Sequence, residues 1–125
     1  MRFDKFTLKV QEALQEAQGL ASQYGHQAID SEHLLVSFLK HPEGILPDIL
    51  KKLGADPGRI EREISKVLEK LPKIEGTSGG QTYISPRLNR VLDASLSEAA
   101  RLTDEYVSAE HILVAMADEK EGPLA

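Results

Sequence analysis

The 125-residue chain contains no cysteine and no tryptophan. Without cysteine there is no disulfide framework, no thiolate zinc site and no thiol nucleophile, which fits a reducing compartment. Aromatic residues make up 5% of the chain, too few for a large surface on which bases or sugars stack. No apolar run approaches the ~18 residues of a membrane span. The start, Met1-Arg2-Phe3-Asp4-Lys5, lacks the apolar core of a signal peptide. Positive charge is also in short supply. Fifteen Lys and Arg stand against 20 Asp and Glu, a net charge of −5 and a pI near 5.4, which argues against a nucleic-acid partner, since such binding draws on clustered Lys and Arg. There is no Gly-x-x-x-x-Gly-Lys-Ser/Thr loop for ATP phosphates, no Gly-x-Ser-x-Gly elbow and no nucleophile–base pair to suggest an enzyme. No His-x-x-x-His spacing occurs among His26, His33, His41 and His111, so neither metal nor cofactor is expected in this chain. A soluble, intracellular protein is the default reading.

A repeat dominates what is there. The stretch Ile29-Asp30-Ser31-Glu32-His33-Leu34-Leu35-Val36 returns as Val107-Ser108-Ala109-Glu110-His111-Ile112-Leu113-Val114, at an offset of 78 residues. The offset holds without a gap from Thr7/Ser85 to Leu46/Leu124, and four of the nine identical pairs fall between Glu32 and Val36. That concentration points to an internal duplication.

Helical periodicity fills both copies. Thr7 is a good N-cap for a stripe of Val10, Ala13, Leu14, Ala17, Leu20, Ala21 and Tyr24, ended by Gly25. Asp30 caps a second helix to about Lys40, and a third runs from about Ile45 to Leu53, where Gly54 stops it. Asp56-Pro57 opens a fourth carrying Ile60, Ile64, Val67, Leu68 and Leu71. Residues 73–82 form a flexible linker with Glu-Gly-Thr-Ser-Gly-Gly at its centre. Ser85-Pro86 then reopens the pattern with Leu88, Val91, Leu92, Leu96, Ala99 and Leu102, and Ser108 caps a further helix through Ala117. No stretch shows convincing strand alternation. The expected architecture is therefore all-α: a pseudo-two-fold duplicated four-helix repeat within one domain, 1–125, with repeat one at 1–72 and a partial repeat two at 83–125. The second copy lacks counterparts of the segment from Pro47 to Leu71, about two helices. This reads as a fragment of a longer protein, its open face covered by a partner or left partly disordered.

The repeated helices have an apolar arc of about 200° at 100° per residue, as in a helix sandwiched between others. Glu32 falls at the edge of that arc and His33 on its polar side; Glu110 and His111 repeat both positions. The carboxylates complement the helix dipole, and they also suit the rim of a peptide groove. The histidines read as surface or cap-associated. Leu88 and Leu92 are candidates for a groove floor or for the core, and Tyr83 for a groove aromatic or for packing.

At Phe6-Thr-x-Lys-x-Gln-Glu-Ala-Leu14, Ala-x-x-x-Gly-His26, Asp30-x-Glu-His-Leu-Leu35, Gly54-Ala-Asp-Pro57 and Tyr83-Ile-Ser-Pro-Arg-Leu88, the chain resembles the Clp N-terminal domain of the Clp/Hsp100 unfoldases. The connector Leu71-Pro-Lys-Ile-Glu-Gly76 and the stretch from Gln81 to Leu92 resemble the ClpB disaggregase branch. The resemblance implies a substrate-recognition module that binds exposed segments of unfolded or aggregated polypeptides. Its parent would be a cytoplasmic homohexamer, an AAA+ ATPase using ATP and Mg in downstream modules and working with an Hsp70 system. It implies client contacts at Thr7, Asp104 and Glu110. It also implies the helix-start positions with which the ClpC branch reads phosphorylated arginine, here Thr7 with Glu32 and Ser85 with Glu110. An adaptor-docking module of the ClpA and ClpC type is the alternative.

Overall fold

Short polar side chains and prolines set the helix starts. Thr7 accepts the Val10 N–H at the start of α1 (Leu8–Tyr24), Asp30 opens α2 (Ser31–Leu39), and Asp56 with Pro57 opens α4 (Pro57–Lys70). Ser85 with Pro86 opens α5 (Pro86–Arg101), and Ser108 opens α6 (Ala109–Ala117). Helix α3 (Ile45–Lys52) begins at Gly44 without a side-chain cap. A 3-10 turn, Phe3–Lys5, precedes α1. The computed structural model describes residues 3–41, 44–73 and 82–119; most of the expected linker, at 74–81, lies outside them, as do Pro42, Glu43, Glu121 and Gly122. Among the described residues the chain is a six-helix bundle.

One expectation needs correction. Two short extended segments exist, β1 (Ala28–Ile29) and β2 (Tyr83–Ile84), paired in parallel with Ile29 opposite Ile84. Phe6 and Val107 form a second parallel bridge. At two residues or fewer per segment no alternation could show, so periodicity was blind to them. The two pairings correspond at the offset of 78. Ser85 N–H donates to the Ile29 carbonyl at 2.9 Å, and Thr7 N–H donates to the Val107 carbonyl at 3.0 Å. Each first helix is thereby tied to the second helix of the other half of the chain.

The buried face of α1 is built from Val10, Ala13, Ala17 and Ala21, small side chains that let α2 approach closely. Helix α2 is buried at every position from His33 to Leu39. It lies between α1 and α4, where Leu68 is fully buried. Leu88, Val91, Leu92, Ile112, Leu113 and Met116 extend the same core through α5 and α6. The halves differ at Val36 and Val114, one offset apart: Val36 is 1% exposed and Val114 is 55% exposed. Helix α4 packs on α2, and no matching helix packs on α6 among the described residues.

Gly25 and Thr103 also correspond, and both adopt the left-handed conformation that ends α1 and α5, with φ of 75° and 56°. Glycine is at ease there, whereas a β-branched residue is strained. Thr103→Gly is expected to stabilise the fold by about 1 kcal/mol, read as a higher urea midpoint at unchanged slope. Burial makes a second test. Val36→Ser is expected to cost about 2–4 kcal/mol, and Val114→Ser less than about 0.5 kcal/mol.

Candidate functional site

The two helix-start clusters are built alike and finished differently. At the first, Asp30 caps α2 by accepting the Ser31 N–H at 2.8 Å. Arg87, from the first turn of α5, reaches across: its Nε donates to Asp30 Oδ1 at 3.0 Å and its Nη2 to Glu32 Oε1. Glu32 is therefore a half-buried partner of Arg87 and not a free rim carboxylate. At the second cluster Ser108 replaces Asp30, and Glu110 is exposed with no hydrogen-bond or ion-pair partner among the described residues. The residue corresponding to Arg87 is Lys9, also exposed and without an ion pair among those residues.

The crossed backbone pairing decides which residues meet. Thr7 bonds to Val107 and so stands by the start of α6 and Glu110. Ser85 bonds to Ile29 and stands by the start of α2 and Glu32. The expected partnership of Thr7 with Glu32 and Ser85 with Glu110 is thus exchanged. Both cap hydroxyls are engaged, Thr7 Oγ1 by Val10 N–H at 3.3 Å and Ser85 Oγ by Leu88 N–H at 3.0 Å. Asp104 is half-exposed, with Oδ2 2.9 Å from His111 Nε2. Leu88 and Leu92 are fully buried and offer no surface to a ligand; of their two candidate roles the core is the one they fill. His33, expected on the polar side, is fully buried as well. Its Nδ1 accepts the Asp30 N–H at 2.9 Å, and this capping role pulls the ring inward.

A separate cavity of about 330 Å³ opens between α1 and the β1–β2 pair. Phe3, Leu14, Ile29, Tyr83 and Ile84 give it apolar walls, and Gln11, Gln15, Gln18 and Thr82 supply uncharged polar groups. Tyr83 is 53% exposed, so its ring belongs to the groove wall. The Gln11 amide donates to the carbonyls of Phe3 and Phe6 at 3.2 and 2.9 Å, pinning the turn that carries Phe3. Thr82 Oγ1 is buried without a hydrogen-bond partner among the described residues. A groove with apolar walls and a few polar groups suits a peptide with apolar side chains. Thr7, Asp104, Glu110 and Glu32 do not line it. The sequence reading missed Gln11, Leu14, Gln15 and Gln18; their one signal was a run of glutamines at helical spacing beside Leu14. Among the described residues no group of three or more metal-ligating side chains stands together, and no helix is long and apolar enough to cross a membrane.

The Clp repeat (R) N-terminal domain family matches residues 5–125. The chain belongs to this family. The module it forms is the non-catalytic N-terminal part of Clp/Hsp100 proteins, and the curated relatives are chaperones named ClpB. One from Nitratidesulfovibrio vulgaris is 39% identical over 121 residues, 95% of this chain and 14% of the relative. One from Porphyromonas gingivalis is 40% identical over 116 residues, 93% of this chain and 13% of the relative. The chain therefore spans about one-seventh of the length of these relatives. Among solved structures, the Hsp104 N-terminal domain from Candida albicans superposes with a TM-score of 0.83 at 23% identity, covering 93% of this chain and 75% of that one. The N-terminal domain of the ClpV1 ATPase from E. coli superposes with a TM-score of 0.84 at 21% identity, covering 94% and 70%. At those identities the structural likeness speaks for the fold.

The Arg87 cluster yields a prediction. Arg87→Ala leaves two half-buried carboxylates facing each other and is expected to cost about 1–2 kcal/mol. Lys9→Ala, at the corresponding exposed position, should stay within about 0.5 kcal/mol. Urea unfolding of both variants gives the comparison.

Proposed function

We propose that this domain is the substrate-recognition module of an ATP-dependent protein disaggregase, and that it binds exposed segments of unfolded or aggregated polypeptides in the groove between α1 and the β1–β2 pair. The observation that carries the reading is the groove itself: apolar walls, a few uncharged polar groups and no charged lining residue. Such a surface accepts many sequences, because burial of apolar side chains is non-directional. Binding is weak, since ordering a flexible client offsets much of the contact free energy. Asp104 and Glu110, in the turn before α6 and in its first turn, with Thr7 at the start of α1 bonded to Val107, add an acidic surface that favours clients with basic residues. In the parent the ATPase modules, the homohexamer and the cooperation with an Hsp70 system lie outside this chain, and the setting is the cytoplasm. Membership in the family and identity to ClpB chaperones support this reading.

The same proposal covers the finer architecture. The chain is a duplicated helical repeat in which, among the described residues, only the first copy has the helices α3 and α4. The equal offsets of the backbone pairings support the duplication, and the burial of Val36 against the exposure of Val114 marks the difference in cover.

Fluorescence anisotropy of a labelled, permanently unfolded protein titrated with the domain tests the binding reading. Tyr83→Ala and Leu14→Gln are each expected to weaken binding about tenfold, the equivalent of one lost apolar contact. Glu110→Gln and Asp104→Asn are expected to weaken it about two- to threefold, and only at low salt. Full affinity in Tyr83→Ala and Leu14→Gln would remove the groove from the client site.

A further inference from the structure

Two buried imidazoles bracket one wall of the groove. Strand β1 runs between His26 and His33, and its Ile29 both lines the groove and pairs with Ile84. His26 is 6% exposed and His33 is fully buried. The rings meet edge to face with centroids 5.1 Å apart, and Tyr24 of α1 stacks flat on His26 at 5.3 Å.

Hydrogen bonding fixes both tautomers. The Asp30 N–H donates to His33 Nδ1 at 2.9 Å, so that nitrogen holds a lone pair and the neutral ring carries its proton on Nε2. His33 Nε2 lies 2.9 Å from His26 Nδ1, which must then accept. His26 in turn keeps its proton on Nε2, turned toward the Leu68 carbonyl of α4 but short of a full hydrogen bond. All the N–H groups in this row point the same way. A proton added to His33 faces the Asp30 N–H, and a proton added to His26 faces the His33 N–H. Either addition breaks a junction.

The charges around the pair do not relieve this. Burial, the larger cause for both rings, and the Lys73 ammonium near His26 hold the imidazoles below their usual 6.5. The carboxylates of Asp30 and Glu32 act on His33 in the opposite sense, and both are already engaged by Arg87. A depressed folded value means that the unfolded chain takes up the proton first. The stability contributed by the pair is therefore complete above about pH 6.5 and is lost as the pH falls below it.

The other half has a different solution at the same two positions. Asp104 stands in the place of His26 and His111 in the place of His33. Ser108 N–H donates to His111 Nδ1 at 3.0 Å, Ser108 Oγ lies 3.0 Å from the same nitrogen, and Asp104 Oδ2 lies 2.9 Å from Nε2. Here a carboxylate, and not a second imidazole, faces the Nε2 edge of the ring.

We propose that the His26–His33 pair is an acid-sensitive latch on the groove wall: a proton taken up by the pair loosens β1 from β2 and weakens the hold of the groove on an unfolded segment. The matching bridge between Phe6 and Val107 keeps its bonds. The effect on clients rests on the groove being the client site; the loosening of β1 does not.

Amide hydrogen exchange on the 125-residue chain at about pH 7.5 and about pH 5.5, corrected for intrinsic rates, reads the latch directly. Tyr83 and Ser85, which donate to the Gln27 and Ile29 carbonyls, report on the β1–β2 pair; Thr7 and Val107, which donate to the Val107 and Lys5 carbonyls, are the internal reference. Acid is expected to lower protection at Tyr83 and Ser85 about tenfold or more, with the reference amides unchanged. The double variants His26→Gln/His33→Gln and His26→Asn/His33→Gln, which carry no titratable group at either position and keep a side chain at position 33 able to accept the Asp30 N–H, should both abolish the response. No change at Tyr83 and Ser85, an equal change in both ladders, or a response that survives both substitutions overturns the latch. If neither variant folds by circular dichroism, the comparison of the two ladders in the natural chain decides. Peptide anisotropy at the same two pH values tests the coupling. Loosening without loss of affinity overturns the link to clients, whereas a peptide that fails to bind at neutral pH overturns the groove reading and leaves the exchange result to judge the latch.

Discussion

Crossed backbone pairing is the constraint on which the rest of this domain depends. A few hydrogen bonds join the segment before α1 to the segment before α6, and the segment before α5 to the segment before α2. They are short, but they set the register of four helices at once. Because each pairing immediately precedes an N-cap, it fixes where the first turn of a helix begins and which residues of the other half stand beside it. The ion-paired Arg87 cluster, the open start of α6 and the groove behind β2 all follow from that arrangement.

Against this common frame the two halves differ in whether their charges are paired within the fold or face solvent. One helix start is closed by an arginine held between two carboxylates, so its charges are spent within the fold. The other has a serine, a glutamate unpaired among the described residues and an exposed lysine at the matching places, so its charge faces solvent. A buried imidazole pair in one half answers to an imidazole–carboxylate pair in the other. The same backbone geometry thus supports two different partners for an imidazole. Ordinary side-chain chemistry accounts for these differences, since each pair occupies equivalent backbone positions.

Family membership and geometry contribute different things. Membership says that this is a Clp N-terminal module, which matches a small share of much longer chaperones. Geometry says where such a module has something to offer a flexible polypeptide. The groove lies at the junction of the two halves, lined by α1, β1 and β2, so that its shape depends on their pairing. On the proposed function, client binding and pairing of the halves are coupled through Ile29 and Tyr83, which belong to both.

Local signals were legible in the residues alone. Thr7, Asp30, Asp56, Ser85 and Ser108 marked the helix starts, Gly25 marked a helix end, and the offset of 78 identified the equivalent helices, because capping and periodicity depend on neighbours in sequence. The identity of Glu32 and Glu110 as equivalent positions was equally plain. Their different fates were not: one meets an arginine 55 residues away and the other meets solvent. The same holds for His33, whose polar position on the wheel gave no hint of an inward turn toward the Asp30 N–H and His26. Leu88 and Leu92 were ambiguous between core and groove, and Leu14 and the glutamines of α1 carried no mark of a binding surface. Sequence therefore determined the helices and their caps, all set within a turn or two of chain. Tertiary structure alone decided which equivalent residues are paired, buried or exposed, because that depends on segments brought together across the two halves by the crossed backbone bonds.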